Sequence, residues 1–202
     1  ENYAFLVMGL VLRVALAAVC ALHAVKGAAG VQLPLRASSG VIVDSSGTRV
    51  KLSCVNWSGA AQKDGVVGGL QFEAADAIAQ KIASFGFNCV RIPWSVQMVH
   101  ENWQILGGDA LRLLKANPAL YNSTTLDILD HVVDALSKSN LLVILDNHMS
   151  DADWCCSFND ENGLWWNERW SEQSWMDAHK IVAQRYASTP HVVGYELRNE
   201  LR

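Results

Sequence analysis

Apolar and polar positions change period several times along this chain. Residues 38–52, SSGVIVDSSGTRVKL, alternate around a glycine-containing turn. That is the pattern of a β-hairpin, with VIV as one arm, DSSG as the turn and TRVKL as the other arm. LSCVNW continues as a strand. In FEAADAIAQKIASFG, Ala75, Ile78, Ile82 and Phe85 recur at helical spacing and Gly86 follows as a stop. NCVRIPW is a short β-branched run, hence a strand, and a long polar stretch over 95–123 comes after it. TTLDILDHVVDALSKSN returns to helical spacing through Leu126, Leu129, Val133 and Leu136, with Thr124 as N-cap and Asn140 as stop. LLVILD is almost unbroken in apolar residues, as expected of a strand buried on both faces. A Trp-rich loop follows. A helix then starts near Ser171, with Trp175, Ala178 and Val182 on one side, and ends at Thr189-Pro190. VVGYELRNE is the last strand.

Strands and helices therefore alternate as far as a fourth strand. This order predicts an α/β fold of parallel strands joined by crossover helices. A doubly wound sheet and a TIM barrel both satisfy it. Neither glycine-rich nucleotide signature is present, G-x-G-x-x-G after a strand or G-K-[ST]. The long insertions follow the second and third strands at their C-terminal ends, which in a barrel is the face that carries active sites.

Half of the 202 residues are hydrophobic, 18% are charged and the net charge is -4. Such a chain can bury a sizeable single core, and its mild acidity argues against nucleic acid as a partner. Eight Trp are present, five of them within 154–175, a segment otherwise rich in Asn, Asp, Glu and Ser. Aromatic rings in such a setting suit an exposed surface for sugars or planar ligands, with core packing as the competing role.

The first thirty residues stand apart. They are largely apolar but broken by Arg13, His23 and Lys26, and Arg13 interrupts the roughly 20 apolar residues a membrane span needs. Read from Met8, MGLVLR is a basic n-region and VALAAVCAL an apolar h-region. HAVKGAAG then places Gly27 and Ala29 ahead of a cut before Gly30. Residues 1–29 are expected to be a signal peptide or signal anchor with Met8 as the true start, and residues 30–202 the exported domain. Export implies an oxidising compartment. The cysteines are Cys20, Cys54, Cys89, Cys155 and Cys156. Their spacing matches no zinc site, at least one of Cys155 and Cys156 is placed to reach a distant partner, and the pairing is left open. NWS at 56–58 and NST at 122–124 are glycosylation sequons, the second in a polar loop.

Each strand turns polar at its C-terminal end. Asn56 ends the first, Arg91 lies on the second, Asp146 and His148 end the third, and Glu196, Arg198 and Glu200 share one parity on the fourth. An inward Arg needs a carboxylate partner, because an unpaired buried charge is costly. The expected geometry sets Arg91, His148 and Glu200 around one pocket. Structural ion pairing is the competing account of any one of them; polarity at the same end of four strands favours a site. A partly desolvated carboxylic acid keeps its proton near neutral pH and can protonate a leaving oxygen. Glycoside hydrolysis uses two such groups. Asp44, Asp64, Asp109, Asp127 and Glu172 are read as solvated charge, and His100, His131, His179 and His191 carry no pattern.

The runs VNWSG, GFNCVRIPWS, LLVILDNHMSD and VVGYELRNE, in this order over residues 40–202, resemble glycoside hydrolase family 5, the cellulase A family of clan A. The resemblance implies a retaining β-glycosidase on a (β/α)8 barrel. The chain would supply the N-terminal half of that barrel, about four βα units behind a small β-hairpin lid. It further implies Glu200 as general acid/base, Asn199 on the sugar 2-hydroxyl, Arg91 supporting the nucleophile's charge and His148 lining the subsite at the scissile bond. The implied substrate is a polysaccharide or oligosaccharide, cut in the manner of an endo-β-1,4-glucanase. No cofactor or metal is implied, the full-length protein is expected to be a monomer, and a membrane enters only through an uncleaved anchor. Leu201 stands where relatives often carry Pro.

The family's nucleophile is a glutamate ending the seventh strand, and it has no counterpart here. Glu196 is not a substitute. At ~3.3 Å per residue it lies ~13 Å along the strand from Glu200, against about 5–5.5 Å for a retaining pair. Glu196 is expected to pair inside the barrel, and the isolated chain to be inactive and aggregation-prone through its open edges. The alternatives are a non-catalytic carbohydrate-binding barrel, another clan A glycosidase such as a mannanase or exo-glucanase, and a barrel in which Arg91 and His148 handle a different anion.

Overall fold

Ser39 and Gly40 both take positive φ, 48° and 77°, which is what a two-residue hairpin turn demands. The turn joins β1 (Arg36–Ser38) to β2 (Val41–Val43) in antiparallel register, Ser38 opposite Val41. The hairpin thus lies one arm earlier than the alternation predicts. VIV is its second arm, and TRVKL is reduced to a single bridge between Val43 and Arg49. Asp44 is the reason, because its Oδ1 accepts hydrogen bonds from the amides of Ser46 and Thr48 and folds 44–48 into a local turn.

The computed structural model describes residues 30–154 and 159–201. The chain divides into Glu1–Gln32 and Leu33–Arg202, and every element named here belongs to the second unit. The proposed signal segment with Cys20, and the Cys155-Cys156 pair, lie outside the described residues.

Beyond the hairpin run β3 (Cys54–Asn56), α1 (Ala75–Ser84), β4 (Cys89–Ser95), α2 (Val96–Glu101) and α3 (Gly107–Leu113). A 3₁₀ turn (Pro118–Leu120), α4 (Thr125–Lys138), β5 (Leu142–Met149), α5 (Glu172–Arg185) and β6 (Val192–Glu196) follow. The strands β3, β4, β5 and β6 form one parallel sheet in chain order. Two short helices, α2 and α3, occupy what the sequence presents only as a polar stretch. Ser95 Oγ caps α2 by accepting from Met98 N, and Asn102 ends it with φ 39°. Six residues are too few to display a period. The predicted cap of α4 holds: Thr124 and Asp127 form a reciprocal capping box, and Asn140 just beyond the helix is left-handed at φ 57°.

The sheet separates its residues by parity. Val90, Ile92, Trp94, Val143 and Leu145 join Leu126, Leu129, Val133 and Leu136 of α4 in the buried core between sheet and helices. The alternate positions line the opposite, inner face. There the in-register pair Cys54 and Cys89 forms a disulfide across β3 and β4, which settles a pairing the spacing left open. The hairpin faces the lower part of this side, with Leu35, Ala37 and Ile42 across a cavity of about 300 Å³ from Ile144 and Val193. In the VNWSG run, Gly59 is required. At φ 126° an added Cβ would lie 2.4 Å from the Val66 carbonyl oxygen.

Candidate active site

Arg91 sits mid-strand on β4, in register with Asn56 of β3 and Ile144 of β5. One pleat further on, Pro93, Asp146 and Glu196 stand in register across β4, β5 and β6. The Arg91 side chain reaches up to this level. Its Nε donates to Glu196 Oε1 at 2.9 Å and its Nη2 to Oε2 at 2.8 Å, a bidentate pair. The same Nη2 lies 3.0 Å from Asp146 Oδ2 and donates to Asn199 Oδ1 at 3.0 Å. The Arg91 side chain is 19% exposed and that of Asp146 0%, so the inward cation has the carboxylate partners that its position requires. The Glu196 hydrogen bonds foremost, then the fields of Asp146 and Glu200, raise the Arg91 pKa against the effect of burial. Arg91 in turn holds the Glu196 carboxyl below its ordinary value. Both groups stay charged.

Asp146 Oδ2 also lies 2.6 Å from His148 Nδ1. A carboxylate only accepts, so His148 Nδ1 carries a proton and donates it to this bond. Arg91, Asp146, His148, Glu196 and Asn199 therefore form one connected cluster at the C-terminal end of the sheet. Glu200 follows Asn199, is exposed, and contributes to the field on Arg91. Among the described residues Asp146 and Glu196 are ion-paired at this site and Glu200 is not.

Arg198 departs from the expected parity. β6 ends at Glu196, and residues 197–200 leave extended geometry, with Glu200 at φ 39°. Alternation therefore stops. Arg198 turns away from Arg91, donates to Asn147 Oδ1 at 3.1 Å and bonds the Asn162 carbonyl. Asn199 meets Arg91 instead, and its own amide donates to the Asn147 carbonyl at 2.9 Å.

The Trp-rich loop is divided between two roles. Trp154 and Trp166 are 73% and 50% exposed. Trp170 is fastened, donating to Asp151 Oδ1 at 2.8 Å and stacking on His100, and Trp175 packs against the core. A polar cavity of about 620 Å³ opens between the loops after β3, β4 and β5, lined by Lys63, Gln97, Trp103, Asp153 and Trp154 among others.

Two contacts at this end escaped the sequence reading. Trp175 Nε1 and His179 Nε2 lie 3.1 Å and 3.0 Å from the Leu197 carbonyl oxygen, on the segment that carries Asn199 and Glu200. Their W-x-x-x-H spacing, one helical turn, is a signal that they share a face, but it does not show what the face meets.

The family model for cellulase (glycosyl hydrolase family 5) matches residues 43–202. A glycosyl hydrolase 5 family protein of Chamaecyparis obtusa is 38% identical over 183 residues, covering 84% of this chain and 33% of that protein. The major extracellular endoglucanase of Xanthomonas campestris pv. campestris is 31% identical over 159 residues, covering 79% of this chain and 31% of the relative. An endocellulase of Pyrococcus horikoshii, solved in complex with cellotetraose, superposes with TM-score 0.70 at 26% identity, covering 84% of this chain and 44% of that one. The chain thus spans less than half the length of each of these relatives. The fold of this four-stranded parallel sheet and its helices thus recurs in a protein alike in sequence. The chain accordingly belongs to glycoside hydrolase family 5, the cellulase family, and holds the N-terminal, four-stranded half of its (β/α)8 barrel.

Proposed function

We propose that the whole protein is a retaining β-glycoside hydrolase, acting on polysaccharides or oligosaccharides in the manner of an endo-β-1,4-glucanase, with Glu200 as general acid/base. One observation carries this reading: Arg91 engages Asp146 and Glu196, and among the described residues Glu200, just beyond β6, is the carboxyl at this site outside those ion pairs. Glu200 would give its proton to the glycosidic oxygen as the C1–O bond breaks, then take one from the water that releases the sugar. Asn199 has its Oδ1 turned to Arg91, so its Nδ2 protons are the groups directed to the sugar 2-hydroxyl. Arg91 supports the charge of the nucleophile, and His148, fixed by Asp146, lines the subsite at the scissile bond. Glu196, bound through both carboxylate oxygens by Arg91 Nε and Nη2, is read as the ion-pair partner that keeps Arg91 in place and not as the nucleophile. In this reading the nucleophile comes from outside the four strands, and these strands alone turn over no substrate. The cellotetraose complex of the Pyrococcus horikoshii endocellulase and the extracellular Xanthomonas campestris endoglucanase support a β-glucan substrate and export behind residues 1–29.

The test is Glu200→Gln in the whole protein. General acid catalysis is worth about 10²–10⁴-fold. kcat/KM on alkyl and unactivated β-cellobiosides should fall on that scale, while 2,4-dinitrophenyl cellobioside, whose leaving group needs no proton, loses little. Equal loss on both classes, or an unmodified protein that cleaves neither, refutes the assignment.

A further inference from the structure

Asn199 and Glu200 lie beyond the last residue of β6, where the regular register has ended and the Asn199 amide keeps one backbone bond to the Asn147 carbonyl of β5. Further contacts set the path of the chain between Glu196 and Asn199. The Leu197 carbonyl accepts from Trp175 Nε1 at 3.1 Å and from His179 Nε2 at 3.0 Å. Trp175 Nε1 is shared with Asn147 Oδ1, also at 3.1 Å. Asn147 is fully buried on β5. Its side chain accepts from Arg198 and its carbonyl from the Asn199 amide. Both rings are themselves braced. His179 meets Trp94 edge-on at 5.0 Å and Trp175 at 4.9 Å between ring centroids, and Trp94 is 0% exposed. One indole and one imidazole N–H from α5 therefore converge on one carbonyl, two residues before Asn199.

We propose that Trp175 and His179 of α5 are positioning residues that clamp the Leu197 carbonyl and so hold Asn199 and Glu200 at the mouth of the barrel. The proposal rests on the acid/base role assigned to Glu200. A carbonyl held from two directions fixes the plane of the Leu197–Arg198 peptide, and the residues up to Glu200 inherit that orientation. Neither ring touches substrate in this account.

The experiment uses the whole protein with His179→Leu, His179→Gln and Trp175→Phe. Leu fills the site without a donor, Gln restores an N–H of similar reach, and Phe keeps the ring face but loses the indole N–H. Loss of one hydrogen bond of this kind corresponds to about tenfold. In His179→Leu and Trp175→Phe, kcat/KM on unactivated cellobiosides should fall about tenfold and amide exchange over residues 197–201 should quicken by about the same factor. The 2,4-dinitrophenyl substrate, which needs no proton but still meets Asn199, should lose clearly less, and His179→Gln should recover most of both losses. Unchanged exchange over 197–201 in His179→Leu overturns the proposal whatever turnover does. Equal loss on both substrates without rescue by Gln also overturns it, because that is the mark of general packing damage. If His179→Leu does not fold, Trp175→Phe and His179→Gln decide by the same readouts. An unmodified protein that cleaves no glycoside removes the role of Glu200, and the exchange measurement still decides the clamp.

Discussion

Replacing Arg91 with Met tests whether the cluster at the barrel mouth is held together by charge. Met keeps much of the aliphatic stem but leaves Asp146 and Glu196 without their cation. The two carboxylates respond differently. The Glu196 side chain is 40% exposed, so water takes over and its share is only about 0–1 kcal/mol. Asp146 is 0% exposed and, among the described residues, keeps His148 alone as a partner. Removing one partner of a buried pair costs about 3–5 kcal/mol. The low end applies, because Arg91 is itself 19% exposed and His148 still donates to Asp146 Oδ2. A loss of about 3 kcal/mol corresponds to a Tm lower by about 6–12 °C for a domain of this size. Thermal unfolding at neutral pH should be measured for the parent, Arg91→Met, Asp146→Asn and the double variant. In the Asp146→Asn background the Arg91→Met cost should shrink by about 2 kcal/mol, since the stranded charge is no longer there. A Tm drop under about 2 °C, or the same Arg91→Met cost in both backgrounds, refutes the electrostatic account.

The lowered Glu196 pKa makes a pH prediction. A carboxyl depressed in the folded state adds stability above its ordinary value of 4.5, and that stability is lost as pH falls through the lower folded value. Urea unfolding should therefore show an acid-sensitive component below pH 4.5 that Glu196→Gln lacks, and identical pH slopes in the two proteins would sink the argument. Asn117 is 7% exposed and donates to the Leu70 and Glu73 carbonyls while accepting from the Ala75 amide at the start of α1. Asn117→Ala strands those backbone groups and should cost about 2–4 kcal/mol by urea unfolding; a cost under about 1 kcal/mol would mean that water replaces the amide.

Much of the fold is legible along the chain because its signals are local. Periods of two and 3.6 can be read within one segment. That is why β3 through β6 and the crossover helices α1, α4 and α5 stand where the apolar spacing puts them. The capping box at Thr124 is equally legible, since both halves of it lie within three residues. The hairpin is less so. Asp44 and Ser39-Gly40 both make turns, and which turn carries a ladder depends on what the arms meet. The Trp loop shows the same limit, because composition cannot tell fastened Trp170 from exposed Trp154.

At the site, the sequence by itself determines that charged residues gather at the C-terminal ends of parallel strands, and that an inward Arg91 needs a carboxylate. Which carboxylates it meets was decided by the register of β4, β5 and β6, which sets Asp146 and Glu196 level with each other. The side of the chain on which Arg198 and Asn199 fall was decided by where the β6 ladder stops, because alternation holds only as long as a neighbouring strand enforces it. The Cys54–Cys89 bond and the convergence of Trp175 and His179 on Leu197 are of the same kind. Each joins residues far apart in the sequence, and only packing the helices against a closed register brings such residues within a bond's length.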